Sequence, residues 1–339
     1  MRAVLMKDKG LLEVEEIPEP VPGPGEALIE VEHCGICGSD LMTLEGNRPM
    51  ELPRVLGHEF VGTLRAIEGG GDSSFRPGDR VVCEPIMGCG NCRSCRNGNY
   101  NVCHKRIILG VETDGAFAQF VRVPLHNLLK VPDGTPVEEA AMAQPLAVAV
   151  HTFRRITFQA GCTAAVLGAG PIGALLALMA QASGGTTVVL TEPNPFRKTL
   201  MERMGFPVID PTKEDPVPAA LSALNEGDEG FDVVFDAAGA PNSLHQATHM
   251  VRVLGQVVVV ASYREEPQVG IMKARRQEVD YITTRAHIFD DFRAAVNIIA
   301  SRRMDIRSLI TDEIGLDEMP EAFQTLSEGG PMMKVLCQP

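Results

Sequence analysis

Apolar and polar positions alternate in short runs over the first third of the chain. Arg2 to Met6, Leu11 to Ile17, Ala27 to Cys34, Phe60 to Ile67, Arg80 to Cys83, Phe117 to Val123 and Leu128 to Val131 read as strands. Pro18, Pro20 and the run Pro22-Gly23-Pro24-Gly25 break them. A helix is expected from near Pro136 through the apolar stretch Leu146 to Phe153. From Thr163 the pattern changes to strands separated by helical segments. Strands are predicted at 163–167, 187–191, 207–209, 231–236, 256–261 and 280–284, with a helix over Ser243 to Val253. Such alternation predicts a parallel, doubly wound sheet. After Arg285 it stops. Asp290 to Arg303 is an amphipathic helix with Phe292, Val296 and Ile299 on one face. A second helix spans Leu316 to Leu326, and Lys334 to Cys337 ends the chain as a strand. The fold class is α/β in three parts. A β-rich domain covers 1–148, an alternating domain covers 149–285, and a tail, 286–339, returns to the first domain.

One junction in the alternating part carries chemistry. The apolar run Ala164 to Leu167 ends in Gly168-Ala169-Gly170-Pro171-Ile172-Gly173, an apolar helical segment follows, and a second strand ends at Glu192. This is the order a dinucleotide-binding unit requires. Gly168 permits the tight turn, Gly170 lets backbone approach a pyrophosphate, and Gly173 lets the helix pack on its strand. Pro171 and Ile172 open that helix, whose free N–H groups favour phosphate. Glu192 lies 19 residues after Gly173, where a carboxylate can accept both ribose hydroxyls of NAD and repel the extra phosphate of NADP. Arg197, five residues further, is the one cation able to weaken that preference. A membrane span over Ala164 to Ala180 is the rival reading. The run is short of the roughly 20 apolar residues a bilayer needs, and its glycines and proline are placed as a turn.

The 31 basic and 44 acidic residues give a net charge of −13 with no basic cluster, which argues against nucleic acid or an anionic membrane as partner. The first ten residues hold no signal-type apolar region, so a cytoplasmic protein is expected. In that setting nine cysteines point to metal or redox work rather than disulfides. Cys89, Cys92, Cys95 and Cys103 form C-x2-C-x2-C-x7-C, which matches a closed structural zinc site in a lobe over 89–103. An iron–sulfur run is the rival, disfavoured by the small polar residues between the cysteines and by the lack of a following proline. Cys37, His58 and Glu59 are a looser set whose donors also suit zinc. Cys34 and Cys37 make a C-x-x-C, but no thioredoxin-like context surrounds them. His33, His104 and His126 read as loop or strand-edge residues rather than ligands. Asp236-Ala237-Ala238-Gly239 ends a strand where it either makes room for a ribose or is a plain turn.

Together these motifs resemble the zinc-containing medium-chain alcohol/polyol dehydrogenase family over essentially the full length. The resemblance rests on Cys34-Gly35-Ile36-Cys37-Gly38-Ser39-Asp40, Gly57-His58-Glu59, the four-cysteine lobe, the glycine loop and Pro145-Leu146-Ala147-Val148. Val82 to Pro85, Asn99 to Cys103 and Pro145 to Arg155 resemble the sorbitol dehydrogenase branch. The resemblance implies a GroES-like catalytic domain and a Rossmann domain, with two zinc ions per chain and NAD. Cys37, His58 and Glu59 would hold a catalytic zinc, with Ser39 as first relay for the reacting proton. Arg285 would lie near a polyol. Zinc would polarise a substrate hydroxyl, and the alcohol would give its hydride to the nicotinamide. Gln144 stands where the branch usually has a glutamate close to the metal, and Met42 where many members carry a histidine. Both changes remove a titrating group, and the neutral Gln144 should leave zinc a stronger acid.

The expected activity is hydride transfer from a secondary alcohol of a polyol, cyclitol or sugar derivative to NAD, by a homodimer or homotetramer. An L-threonine 3-dehydrogenase-like enzyme is the nearest rival within the class. A non-catalytic zinc- and nucleotide-binding sensor on the same fold is the rival outside it.

Overall fold

The computed structural model describes residues 1–48, 50–69 and 74–339. They divide into two compact units: Met1–Ala147 with His287–Arg302 and Leu309–Pro339, and Val148–Ala286 with Arg303–Ser308.

The first unit is built on a seven-stranded sheet. Its path runs Leu128–Lys130, Arg80–Cys83, Glu59–Ile67, Glu26–Gly35, Lys334–Gln338 and Ile310–Gly315, with Phe120–Pro124 also paired to Glu26–Gly35. The alternation read from the sequence turns Ala27, Ile29, Val31, Phe60, Leu64, Val81 and Cys83 into one core, joined by Phe117, Phe323 and Val335. The C-terminal strand pairs Leu336 with Gly35 and Cys337 with Cys34. Residues near the chain's end therefore lie against the segment that carries Cys37.

The second unit holds a six-stranded parallel sheet ordered Val208–Ile209, Thr187–Thr191, Thr163–Leu167, Phe231–Asp236, Val251–Val259, Asp280–Thr283. Helices separate most of its strands, as the alternating pattern predicts. The order reverses beside Thr163–Leu167, which puts the glycine loop at the switch point where such sheets bind ligands.

Several element boundaries differ from the sequence reading. The helix expected to reach Val253 stops at Met250, and the strand expected at 256–261 already begins at Val251. β-branched Val251 and Val253 favour extended backbone, and a bulge with Leu254 at φ +58° restores register before Gly255. The single helix expected from Pro136 is two, Val137–Ala140 and Ala143–Arg154. Pro145 lacks an amide hydrogen, so it fits only a first turn and forces a new start. That restart sets Gln144 in the opening turn. The strand expected from Phe117 begins at Phe120, with Ala118 bridged singly to Ala3.

Candidate active site

Cys37 caps the short helix Gly38–Leu44. Its Sγ accepts from the Ser39 amide at 3.5 Å, and Asp40 accepts from the Cys37 amide at 3.0 Å. His58 and Glu59 enter from the start of a neighbouring strand, after Gly57 at φ +93°. One ligand atom each from Cys37, His58 and Glu59 lies within 4.8 Å of the others. The Ser39 hydroxyl is 3.5 Å from His58 Nε2, and Asp40 Oδ1 is 3.4 Å from His58 Nδ1. His58, Glu59 and Asp40 are all buried. Burial opposes a charge on His58, but the Asp40 carboxylate and Cys37 outweigh it and raise the imidazole well above its usual range. Such a donor set seeks a cation, and thiolate, imidazole and carboxylate fit zinc.

Glu59 also pairs with Lys334, which is as buried as its partner and donates to Ile36 O at 2.9 Å. Burial works against the ammonium, and the Glu59 charge more than restores it, so the lysine stays protonated.

The four lobe thiols close on a single point. Cys89 and Cys95 sulfurs are 4.0 Å apart, Cys92 and Cys103 3.8 Å, and all four lie within 4.8 Å of one another. A regular tetrahedron with Zn–S bonds of about 2.3 Å has sulfurs about 3.8 Å apart. Backbone amides of Asn91 and Cys92 pull the Cys89 thiol down to about 6, whereas desolvation pushes Cys95 up to about 12. Without a metal the four share protons unequally, and a dication suits them better. Cys34, by contrast, is wholly buried with its thiol raised by that burial, so it makes a poor redox partner for Cys37.

Gln144 sits in the first turn of the helix Ala143–Arg154. Its Nε2 is 3.2 Å from His287 Nε2. His287 Nδ1 in turn faces Glu84 Oε1 at 3.6 Å. Burial drives the Glu84 carboxyl up to about 9, against hydrogen bonds from Ile86, Tyr100 and Asn127.

In the second unit the glycine loop opens the helix Pro171–Ala182. Gly168 has φ +87°, and a Cβ on Gly173 would sit 1.9 Å from Gly168 O. A Cβ on Gly170 would meet only Arg197, at 3.8 Å, so that face stays open beside a guanidinium. Glu192 is buried, and its carboxylate accepts from Ala169 N at 2.7 Å and Asn194 N at 2.9 Å. It therefore clamps the loop as well as closing the strand. Asp236 is spent internally, accepting from Ala238 N, Gly239 N, Ser243 and Tyr263. Arg285 is exposed just past the last strand. His33, expected at a strand edge or loop, is buried on the strand Glu26–Gly35 beside Gln338 and Glu313. Its partners come from the last two strands of the chain, so its burial could be seen only once those strands were placed.

The sequence reading assigned no role to Asp40, Glu84, His287 or Lys334. Asp40 had a signal, since an acid three residues after a helix-capping side chain closes a capping box. The other three meet their partners only through the fold.

Comparison with known proteins follows the same division. The alcohol dehydrogenase GroES-like domain profile matches residues 23–133, and the zinc-binding dehydrogenase profile matches residues 171–301. A sorbitol dehydrogenase of Halalkalibacterium halodurans is 33% identical over 97% of this chain and 96% of its own. An L-threonine 3-dehydrogenase of Pyrococcus horikoshii is 34% identical over 94% and 92%. The crystal structure of a zinc-binding dehydrogenase from Sinorhizobium meliloti bound to NADP superposes with a TM-score of 0.92 at 30% identity, covering 100% of this chain and 99% of that one.

Proposed function

This chain is a member of the zinc-dependent medium-chain alcohol and polyol dehydrogenases, and from that premise we propose that it oxidises a secondary alcohol of a polyol, cyclitol or sugar derivative with NAD. The observation that carries the reading is the convergence of Cys37, His58 and Glu59 beside the Ser39 hydroxyl. Bound zinc supplies Lewis-acid polarisation of the substrate hydroxyl, and the bound nicotinamide supplies the hydride acceptor. Ser39 accepts the substrate proton and passes it on in this proposal. Asp40 orients His58, and Lys334 balances Glu59. The second zinc belongs to Cys89, Cys92, Cys95 and Cys103. Arg285 is assigned to substrate on family resemblance alone. Incubating the zinc-replete protein with NAD and a panel of polyols, and following reduced nicotinamide, tests the reading. An L-threonine 3-dehydrogenase-like activity is the second reading, supported by threonine dehydrogenases as similar to this chain as the sorbitol enzymes are. Threonine belongs on the same panel, and silence toward every alcohol would remove both.

Assembly into a homodimer or homotetramer is part of the proposal. The exposed apolar side chains of Leu254, Ile271 and Met272 on the dinucleotide-binding unit support it, and light scattering reads it out. Among the described residues no helix is long and apolar enough to cross a membrane. Nine unpaired cysteines suit the reducing cytoplasm.

NAD is preferred over NADP in this proposal because the Glu192 carboxylate meets the ribose. Glu192→Ala removes that charge and also frees Ala169 N, so the loop loosens. Charge-assisted hydrogen bonds contribute about 1.5–3 kcal/mol each, so KM for NAD should rise about 10- to 100-fold while discrimination against NADP shrinks. Unchanged cofactor selectivity in this variant would remove Glu192 from the ribose site, leaving it a clamp.

Lys334→Met tests Glu59. Breaking a buried ion pair costs about 3–5 kcal/mol because one charge is left uncompensated. Zinc on Glu59 supplies a substitute positive charge. The metal-free variant should therefore melt well below the wild type, and zinc should raise its Tm by more than it raises the wild type's. An equal zinc-induced shift in both proteins means that Glu59 does not meet the metal.

A further inference from the structure

Gln144, His287 and Glu84 form a buried line whose hydrogen atoms are not independent. The Gln144 amide has a donor end and an acceptor end, and only one can face His287. The Nε2 end is turned to His287 Nε2, 3.2 Å away. An amide nitrogen can only donate, so His287 Nε2 is the bare nitrogen and Nδ1 carries the hydrogen. That Nδ1 is 3.6 Å from Glu84 Oε1, a contact that a small side-chain rotation closes. His287 and Glu84 are both buried, and the imidazole is stacked on Phe292 with 5.7 Å between ring centroids. The ring is therefore held and cannot evade the constraint by turning over.

One more proton on the pair reverses the line. If it sits on Glu84, the carboxyl donates to Nδ1 and the imidazole hydrogen moves to Nε2. If it sits on His287, both ring nitrogens carry hydrogen. In either case Nε2 becomes a donor, and Gln144 must turn its carbonyl oxygen toward His287. The end it presents on its other side then changes from acceptor to donor. We propose that His287 and Glu84 are positioning residues that set the orientation of the Gln144 amide, carbonyl outward with one proton on the pair and amino group outward with two. The inference rests on the reading that Gln144 lies at the catalytic centre. There an outward carbonyl accepts a hydrogen bond from a substrate hydroxyl, and an outward amino group cannot. The line thus restores a titrating function at a position where the residue itself cannot titrate.

The hydrogen bonds that Ile86, Tyr100 and Asn127 give Glu84 favour its carboxylate, and burial, the larger effect, favours its acid form. Tyr100 hydrogen-bonds Glu84 and accepts from Phe289 N, and the Asp291 carboxylate follows on the same helix as Phe292. Burial holds the Glu84 carboxyl in its acid form to high pH. A cavity of about 290 Å³ lined in part by Glu84, Tyr100, His126 and Asn127 lies beside the carboxyl.

The test reads the ring directly. In zinc-replete protein with nitrogen-labelled histidine, the His287 signal is assigned by its loss in His287→Phe. The expected result is a bare Nε2 at alkaline pH that gains hydrogen as pH falls, with the transition altered in Glu84→Gln. Catalysis supplies the second readout. Gln144→Leu should cut kcat about tenfold or more, and one ionisation shaping the wild-type kcat profile should be missing in Glu84→Gln. The double variant Gln144→Leu with Glu84→Gln should be no worse than Gln144→Leu alone, since the pair acts through the amide. A single unchanging His287 tautomer from pH 5 to 10, or multiplied losses in the double variant, overturns the inference while leaving Gln144 at the centre. A harmless Gln144→Leu beside a normal His287 transition overturns instead the reading that Gln144 serves catalysis, and the proposal's link to turnover with it.

Discussion

His58→Asn should abolish turnover while the protein stays folded. The asparagine amide can keep a hydrogen bond to Asp40, whose other oxygen still accepts from the Cys37 amide at 3.0 Å. Loss of one buried polar contact costs about 1–3 kcal/mol, less than the 5–15 kcal/mol that typically holds a domain. The metal suffers more. Cys37 and Glu59 alone leave two protein donors, below the three of a catalytic zinc site. Lewis-acid stabilisation of the transition state amounts to several kcal/mol, and about 4 kcal/mol is about a thousandfold. The expected result is kcat/KM down by about 10³ or more, zinc reduced from two to one per chain, and an unchanged circular dichroism spectrum. Two zincs and near-normal turnover would falsify the assignment of His58.

That variant could be named from the sequence, and several others in this protein could not. The glycine loop is legible because its chemistry is local. Gly168, Gly170 and Gly173 act within one turn, and the structure gives Gly168 the positive φ the turn needs. The four lobe cysteines are legible for the same reason, since ligands close in sequence need little fold to meet. Lys334 reaches Glu59 across 275 residues, and His287 reaches Gln144 across 143. No periodicity carries such information. A lysine in an apolar C-terminal strand looks like an edge charge until Lys334–Gln338 is seen beside Glu26–Gly35. The misplaced strand at 251–259 has another cause. Helical and strand spacing are both satisfied over Val251 to Val253, and Leu254 gives no hint of its left-handed backbone.

The lobe offers the second large effect. From Gly88 to Ile108 only Asn101 and Cys103 are buried, so the segment has almost no apolar core of its own. Structural zinc contributes about 10–16 kcal/mol in small zinc peptides, more than such a lobe can gain from packing. Cys95→Ser replaces a soft thiolate with a poor ligand, and one zinc per chain should be lost. Amides over 88–106 should then exchange freely, while the parallel-sheet unit, which holds none of the four cysteines, keeps its protection. If about 3 kcal/mol is lost from the first unit, its Tm falls by about 6–12 °C. The consequence reaches beyond the lobe. Tyr100 lies between Cys95 and Cys103 and ties the lobe to Phe289 and Glu84. Freeing it removes a hydrogen bond that holds Glu84, and through His287 the loss reaches Gln144. Cys95→Ser should therefore lower kcat even when the catalytic zinc is fully loaded, whereas a purely mechanical lobe would cost stability alone. Iron with acid-labile sulfide in the wild type, or retention of both zincs in the variant, rejects the four-cysteine zinc site.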